Sequence, residues 1–600
     1  MKKIIIFLFY IFSSPNIYAQ KNYIIPEPTK ISFLDSKDIG FRLSKKTSIE
    51  FVGVEKSKVY VNDFLKFIEN ETGFILNEKI NKKSNIILKV QDDINNLGNE
   101  GYKLTIIPKE NLLLEANSEN GLFYGIETLK QIIHYTQRKR DDETFSDFEV
   151  SLEVQEYKNT SSKQNINAAN ITTTGYKNVN ETGYYHGKEE VQRKTLDVYE
   201  FAPMIIEDEP RFKYRGMMLD VSRHFMPVEF IKKYINIIAM HKMNTFHWHL
   251  TDDQGWRIEI KKYPKITSVG SKRDETVVGH ILKSPVSLMI FKDVQEYDGT
   301  PYEGYYTQEE IKDIVSYAND RFVTIIPEID LPGHASALIA AYPELGSSTE
   351  NIGVKTIWGP HPDIVKPTEN TFNFLKDIFT EVADLFPSKY IHIGGDQAIK
   401  KQWIESKEIQ EIIKNLELEN EAQLQSYFIS KVENILNGLG KKVIGWDEII
   451  EGGLNQNTTV MSWRGEEGAI TAAKAGNNAI MTPRLYCYFD LYQRKSKDEP
   501  LAVGGFTPLS KVYSFEPVSK ELDLNEASKI IGAQGSLWTE FIKTPKHVEY
   551  MIVPRMTALS EVVWSRRKSR NFDEFKLRLN FYRHFLDLKN INYSPHEFDN

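Results

Sequence analysis

Tyr390-Ile-His-Ile-Gly-Gly-Asp-Gln397 is the stretch whose reading decides the fold. Its apolar start reads as a short buried strand, Tyr390 to Ile393, that turns on two glycines. A Gly-Gly pair after an apolar run lets the backbone bend sharply and approach a ligand closely. The turn sets Asp396 beside Gln397 at the C-terminal end of a strand, where barrel enzymes carry their working side chains. From these eight residues alone, an ordinary strand-to-helix turn capped by Asp396 reads at least as well. The flanking chain separates the two readings.

On either side of this stretch, from Arg211 onward, eight strand-like segments recur, most of them followed by a helical pattern. They are Tyr214 to Val221, Thr245 to Leu250, Val323 to Ile329, Tyr390 to Ile393, Lys442 to Gly445, Thr459 to Ser462, Ala479 to Thr482 and Ile531 to Leu537. Between them, Phe230, Tyr234, Ile237 and Ile238 form one apolar helical stripe, and Ile311, Ile314, Val315 and Ala318 another. Leu375, Ile378, Phe379, Val382 and Leu385 form a third. Eight rounds of strand and helix predict an α/β fold, a (β/α)8 TIM barrel over residues 206–600. A last helix, Phe575 to Leu588, is expected to pack on it.

Polar and aromatic residues gather at the ends of those strands: Asp220-Val-Ser-Arg-His224, Thr251-Asp-Asp-Gln-Gly-Trp256, Glu328-Ile-Asp-Leu-Pro-Gly-His334, Asp396-Gln397, Trp446-Asp-Glu448, Trp463-Arg464, Tyr486 to Asp490, and Trp538-Thr-Glu540. Taken singly, each has a structural reading. Trp446, Trp463 and Trp538 could be core aromatics, Arg215 an ion-pair partner inside the first strand, and His334 a satisfied core histidine. Together they would need a coincidence at almost every strand. His247 and His249 alternate like a metal pair, but Asp, Trp and Arg rather than further His fill the set, so neither metal nor cofactor is expected. Carboxylates between aromatic walls suit a sugar: the acids accept from hydroxyls and the rings pack on apolar sugar faces.

Composition sets the outer bounds. The chain of 600 residues is 41% hydrophobic and carries a net charge of -8 with no basic stripe, which argues against a nucleic-acid partner. Its one cysteine, Cys487, excludes an intrachain disulfide and a Cys-based zinc site. Lys2-Lys3, the apolar run Ile4 to Phe12 and Ala19 read as a cleaved export signal over residues 1–19, with an uncleaved anchor as second reading. A periplasmic or secreted protein with no integral membrane span is expected. Residues 20–136 read as a small α/β domain, with strands at Asn85–Val90, Gly101–Ile107 and Leu112–Ala116 and a helix over Gly121–Ile133. Residues 137–205 read as a polar insertion and linker.

The ordered motifs resemble the family 20 glycoside hydrolases, the β-N-acetylhexosaminidases. The resemblance rests on Arg215 to Phe225, His247 to Arg257, Pro327 to His334, His392 to Asp396, Gly445 to Glu448, Ser462-Trp463 and Leu537 to Glu540. It extends to the preceding small domain, although the stretch from Gln137 to Thr195 is longer than is usual in that family. The resemblance implies hydrolysis of terminal β-linked N-acetylglucosamine or N-acetylgalactosamine. The substrate's own acetamido oxygen attacks the anomeric carbon and forms an oxazolinium ion, with retention. It implies that Asp396 orients the acetamido group, and that His334, with one acidic residue of the pair Asp252 and Asp253, supports the acid position. It further implies that Arg215, Asp490 and Glu540 hold hydroxyls, that Trp446, Trp463 and Trp538 wall the acetamido pocket, and that Tyr488 bonds its carbonyl. One position departs from the pattern: the acid that the family writes as Glu is Gln397 here. An amide has no titratable proton to give. An introduced substitution, a sugar-binding relative without catalysis, and a proton from another group all fit that departure.

Overall fold

The structure, a computed structural model, describes residues 22–598 apart from 35–39, 56, 79–84, 93, 95–96, 109–110, 137–196 and 281–294. Residues 1–19, expected to be an export signal, and nearly all of the expected polar insertion therefore lie outside the described residues.

The first domain is a six-stranded sheet. Its order is Lys30–Phe33, Met204–Asp208, Tyr102–Ile106, Leu112–Ala116, Asn85–Val90 and Ser48–Val52. The helices Val59–Thr72 and 119–136 belong to this domain. Tyr60, Phe64, Phe67 and Ile68 of the first helix are buried, the single stripe that the sequence spacing predicts.

One boundary is corrected. Residues 137–205 were expected to be insertion and linker, with the barrel starting at 206. Instead Met204–Asp208 pairs antiparallel with both Lys30–Phe33 and Tyr102–Ile106, and Val198–Phe201 pairs with Phe41–Ser44. The first domain thus recovers two strands from beyond the insertion. Met204–Asp208 alternates buried and half-buried residues, but its third inward position is Asp208, which hides the apolar alternation. Asp208 is fully buried and is satisfied by Lys242, Tyr102 and Trp564.

The barrel closes as expected. Its eight strands are Tyr214–Asp220, Thr245–His249, Thr324–Glu328, Tyr390–His392, Lys442–Trp446, Thr459–Ser462, Ala479–Met481 and Ile530–Leu537. All neighbours are parallel and follow sequence order, and the eighth pairs with the first. The three predicted helical stripes are all buried against the barrel. Thr307 opens the helix Gln308–Asn319 with a capping box to Glu310, which fixes where that helix begins. The final helix, Phe572–Leu588, buries Phe575, Leu579, Tyr582, Phe585 and Leu586. Phe585 also meets Phe67 of the first domain at 6.2 Å, so this helix seals both domains.

Candidate active site

The fourth strand delivers Asp396 through a turn that only glycine permits. Gly394 and Gly395 have φ of 66° and 94°. A β-carbon on Gly394 would fall 1.6 Å from Asp330 Oδ1, and one on Gly395 2.5 Å from Ile449. The Gly395 amide donates to Asp330 Oδ1 at 3.1 Å. Asp396 is 8% exposed, and its Oδ1 has no hydrogen-bond partner among the described residues. Gln397 follows with φ of 46°, sparsely populated for a residue with a side chain, and stands exposed at the cavity.

A charge relay backs Asp396. His334 Nε2 lies 3.6 Å from Asp396 Oδ2, and His334 Nδ1 is 3.1 Å from Asp252 Oδ1 and 3.3 Å from Asp253 Oδ2. Burial alone would favour neutral imidazole, but Asp252, Asp253 and Asp396 outweigh it and hold His334 well above the usual histidine range. Asp252 in turn pairs with Arg223 Nη2 at 2.7 Å and His249 Nε2 at 3.1 Å. Asp330 is pushed well up by burial and by Asp396, and it hydrogen-bonds the Asp396 carboxyl. Asp396 itself is raised by burial, against the pull of His334.

Beneath this layer Glu328 gathers His247 at 3.0 Å, His392 at 2.9 Å, His249 at 2.5 Å and the Trp446 indole at 2.8 Å. His247, Glu328 and His392 are ligand types a divalent cation accepts, as are Asp252, Asp253 and His334. Both sets are tied together by ion pairs and hydrogen bonds at these distances.

The cavity above encloses about 250 Å³. Trp463 and Tyr488 form one wall, their rings 6.1 Å apart and 23° from parallel, and Trp538 stands 6.4 Å from Tyr488. Asp490 and Glu540 also line the cavity, and their Oδ1 and Oε2 find no hydrogen-bond partner among the described residues. Burial and the neighbouring Glu540 push Asp490 up to about 7. Burial raises Glu540 too, against Arg223. An aromatic slot that ends in unpaired carboxylate oxygens can clasp a polyhydroxylated ring.

Two expected cavity residues are elsewhere. Arg215 does not reach the cavity. It sits at the start of the first strand, so its side chain lies at the opposite end of the barrel from the strand's C-terminus. Its fully buried guanidinium bonds Glu100 at 2.6 and 3.0 Å, the Tyr124 hydroxyl at 3.1 Å, and the carbonyls of Phe212 and Lys242. It joins the first domain to the barrel. Two arginines border the cavity instead, Arg223 and Arg484, and Arg223 also lies 5.1 Å over the Trp538 ring. Trp446 is one layer deeper than expected: 1% exposed, it bonds Glu328 and backs Trp538 at 5.9 Å. Asp252, His334, Asp396, Gln397, Trp463, Tyr488, Asp490, Trp538 and Glu540 all border the cavity. Arg223 and Asp330 were missed as functional residues, although both stand in strand-end segments of the kind that carried the rest.

Comparison with known proteins agrees with this arrangement. Residues 212–567 match glycosyl hydrolase family 20, catalytic domain, and residues 21–151 match its domain 2. A β-hexosaminidase of Porphyromonas gingivalis is 46% identical over 65% of this chain and 48% of its own length. One from Akkermansia muciniphila is 33% identical over 65% of this chain and 76% of its own. The chain thus spans about half the length of the first relative, and 57% of a β-hexosaminidase from Vibrio furnissii. Among solved structures, a GH20 exo β-N-acetylglucosaminidase from Vibrio harveyi in complex with N-acetylglucosamine superposes with a TM-score of 0.73 at 28% identity. That superposition covers 95% of this chain and 78% of the other. Flavobacterium johnsoniae chitobiase gives 0.70 at 28%, over 95% and 73%. The chain belongs to glycosyl hydrolase family 20.

Proposed function

We propose that this protein is an exported β-N-acetylhexosaminidase that removes terminal β-linked N-acetylglucosamine or N-acetylgalactosamine from glycans. The observation that carries the reading is Asp396: a buried carboxylate, backed by His334 and Asp330, with one oxygen free toward an aromatic slot. In the mechanism proposed, the acetamido group lies between Trp463, Tyr488 and Trp538, and its nitrogen donates to Asp396. The acetamido oxygen attacks the anomeric carbon while the glycosidic bond breaks, and the leaving oxygen departs with the bonding pair and takes its proton from solvent. The positive charge that spreads over the oxazolinium ring is matched by Asp396, whose anionic form His334 favours. Asp490 and Glu540 accept from hydroxyls, and Arg223 holds Asp252 in place and lies within electrostatic reach of Glu540. Water then opens the oxazolinium ion with overall retention.

Gln397 stands where the leaving oxygen would be protonated, and its amide can donate a hydrogen bond but no proton. It supports a second reading, a glycan-binding protein of the same fold with little turnover. The test is paired. Release of nitrophenol from a nitrophenyl N-acetyl-β-glucosaminide, together with calorimetric binding of N-acetylglucosamine, supports the enzyme. Binding without release supports the second reading. Neither binding nor release defeats both.

A further inference from the structure

Trp463 is half-exposed at the cavity and follows the sixth strand directly. Its place is set by hydrogen bonds from the neighbouring strand end. The indole Nε1–H donates to Glu448 Oε2 at 2.9 Å. Glu448 belongs to the single helical turn Asp447–Ile450 that follows the fifth strand. Asp447, beside it, accepts from Ser462 Oγ at 3.3 Å and from Arg464 Nε at 2.9 Å, the residues on either side of Trp463. Arg464 Nη1 then reaches Glu451 at 2.7 Å. Gly468 of the following helix leaves room for this approach: a β-carbon there would sit 2.6 Å from the Asp447 Cβ. The segments Asp447-Glu448 and Ser462-Trp463-Arg464 are therefore laced together at three successive residues.

We propose that Glu448 is a positioning residue for the sugar site, holding the Trp463 ring parallel to Tyr488 and so setting affinity for the N-acetyl group without touching the sugar. The inference rests on reading the cavity as an N-acetylhexosamine site. Glu448 itself does not border the cavity, so it reaches a ligand only through Trp463. The geometry is one an unsupported tryptophan would not keep, since a side chain with two free torsions at a rim samples several rotamers. The carboxyl is 8% exposed, and its neighbours on every side are accounted for: Asp396 from the fourth strand, Asp447, Arg464 at 3.9 Å, and Tyr488 from the seventh strand. Burial first, and then Asp396, push Glu448 up to about 8, so at neutral pH it is a neutral acceptor and adds no negative charge beside Asp396.

The discriminating variants are Glu448→Gln, whose amide oxygen can still accept the indole N–H, and Glu448→Leu, which fills similar space and accepts nothing. Two readouts are taken on the full chain. The first is Kd for N-acetylglucosamine by titration calorimetry. The second is the ¹⁵N-indole resonance of Trp463, assigned by its absence in Trp463→Phe. Expected are a loss of affinity of about tenfold in Glu448→Leu, the usual worth of one buried hydrogen bond, and near-parent affinity in Glu448→Gln. The Trp463 indole signal should shift and exchange faster in Glu448→Leu alone. Equal affinity in Glu448→Leu and parent, an unmoved resonance, or equal losses in both variants would each overturn the proposal. A parent protein that binds no N-acetylglucosamine sinks the sugar reading and the affinity half with it. In that case the resonance still decides whether Glu448 holds Trp463.

Discussion

Exchange of one amide nitrogen for oxygen at position 397 should change what this site can do. Gln397 is exposed, makes no hydrogen bond to the described residues and keeps its φ of 46° whichever side chain it bears. Gln397→Glu is isosteric and should leave the fold unaltered. The new carboxyl would neighbour Asp396. Two neighbouring carboxylates repel, which raises the second above the usual glutamate range. The His334 imidazolium, 3.6 Å from Asp396, cancels part of that. The new acid should therefore titrate above an ordinary glutamate, protonated often enough to work in mildly acidic solution.

Its worth depends on the leaving group. A sugar hydroxyl is a poor leaving group and needs a proton as the bond breaks, whereas a nitrophenolate departs with far less help. The attacking oxygen belongs to the substrate and needs nothing from position 397. Gln397→Glu should therefore raise kcat/KM on chitobiose by about 10²–10⁴-fold, or roughly 3–5 kcal/mol off the barrier. On a nitrophenyl N-acetylglucosaminide the gain should be much smaller. The pH profile on chitobiose should gain an alkaline limb that the parent lacks. Steady-state kinetics on both substrates from pH 4 to 8 measure all of this. Equal gains on both substrates, or none on chitobiose, would refute the placement of position 397 at the leaving oxygen.

Four further outcomes are expected. In the Gln397→Glu background, Asp396→Asn should lower kcat, because a neutral amide cannot match the charge on the oxazolinium ring; unchanged turnover would remove Asp396 from the mechanism. Trp463→Ala should weaken N-acetylglucosamine binding by about tenfold or more through lost apolar contact, read by calorimetry. Arg215→Ala should destabilise the chain by about 3–5 kcal/mol in urea melts, since it strands the Glu100 carboxylate, while Kd for sugar in the folded protein stays at the parent value. Asp490 has a folded pKa raised from 3.8 to about 7, so its contribution to stability is full below pH 4 and is lost as pH rises through 7. Asp490→Asn should flatten the stability profile across that window by up to about 4 kcal/mol.

Arg215 and Arg223 show which part of this site the sequence could express. Both stand near the first strand, and both are buried cations with carboxylate partners. The alternation of a strand says which residues face inward. It does not say at which end of the barrel a long side chain will discharge. That end is set by where the charges of other segments arrive: Glu100 from the first domain for Arg215, Asp252 from the second strand end for Arg223. The eight strands were legible because each one's apolar run is local, and the glycine turn because Gly394 and Gly395 fail sterically with any other residue. Trp446 was misplaced by one layer for the same reason as Arg215. Its depth follows from an indole hydrogen bond to Glu328, 118 residues earlier in the chain, which no local pattern contains. Asp208 hid a whole strand in the same way, because the Lys242 that neutralises it lies across the domain boundary. In this chain, apolar faces are therefore read from spacing. The depth of a buried charge is read only once its partner is known, and the strand ends are informative because partners from several segments converge there.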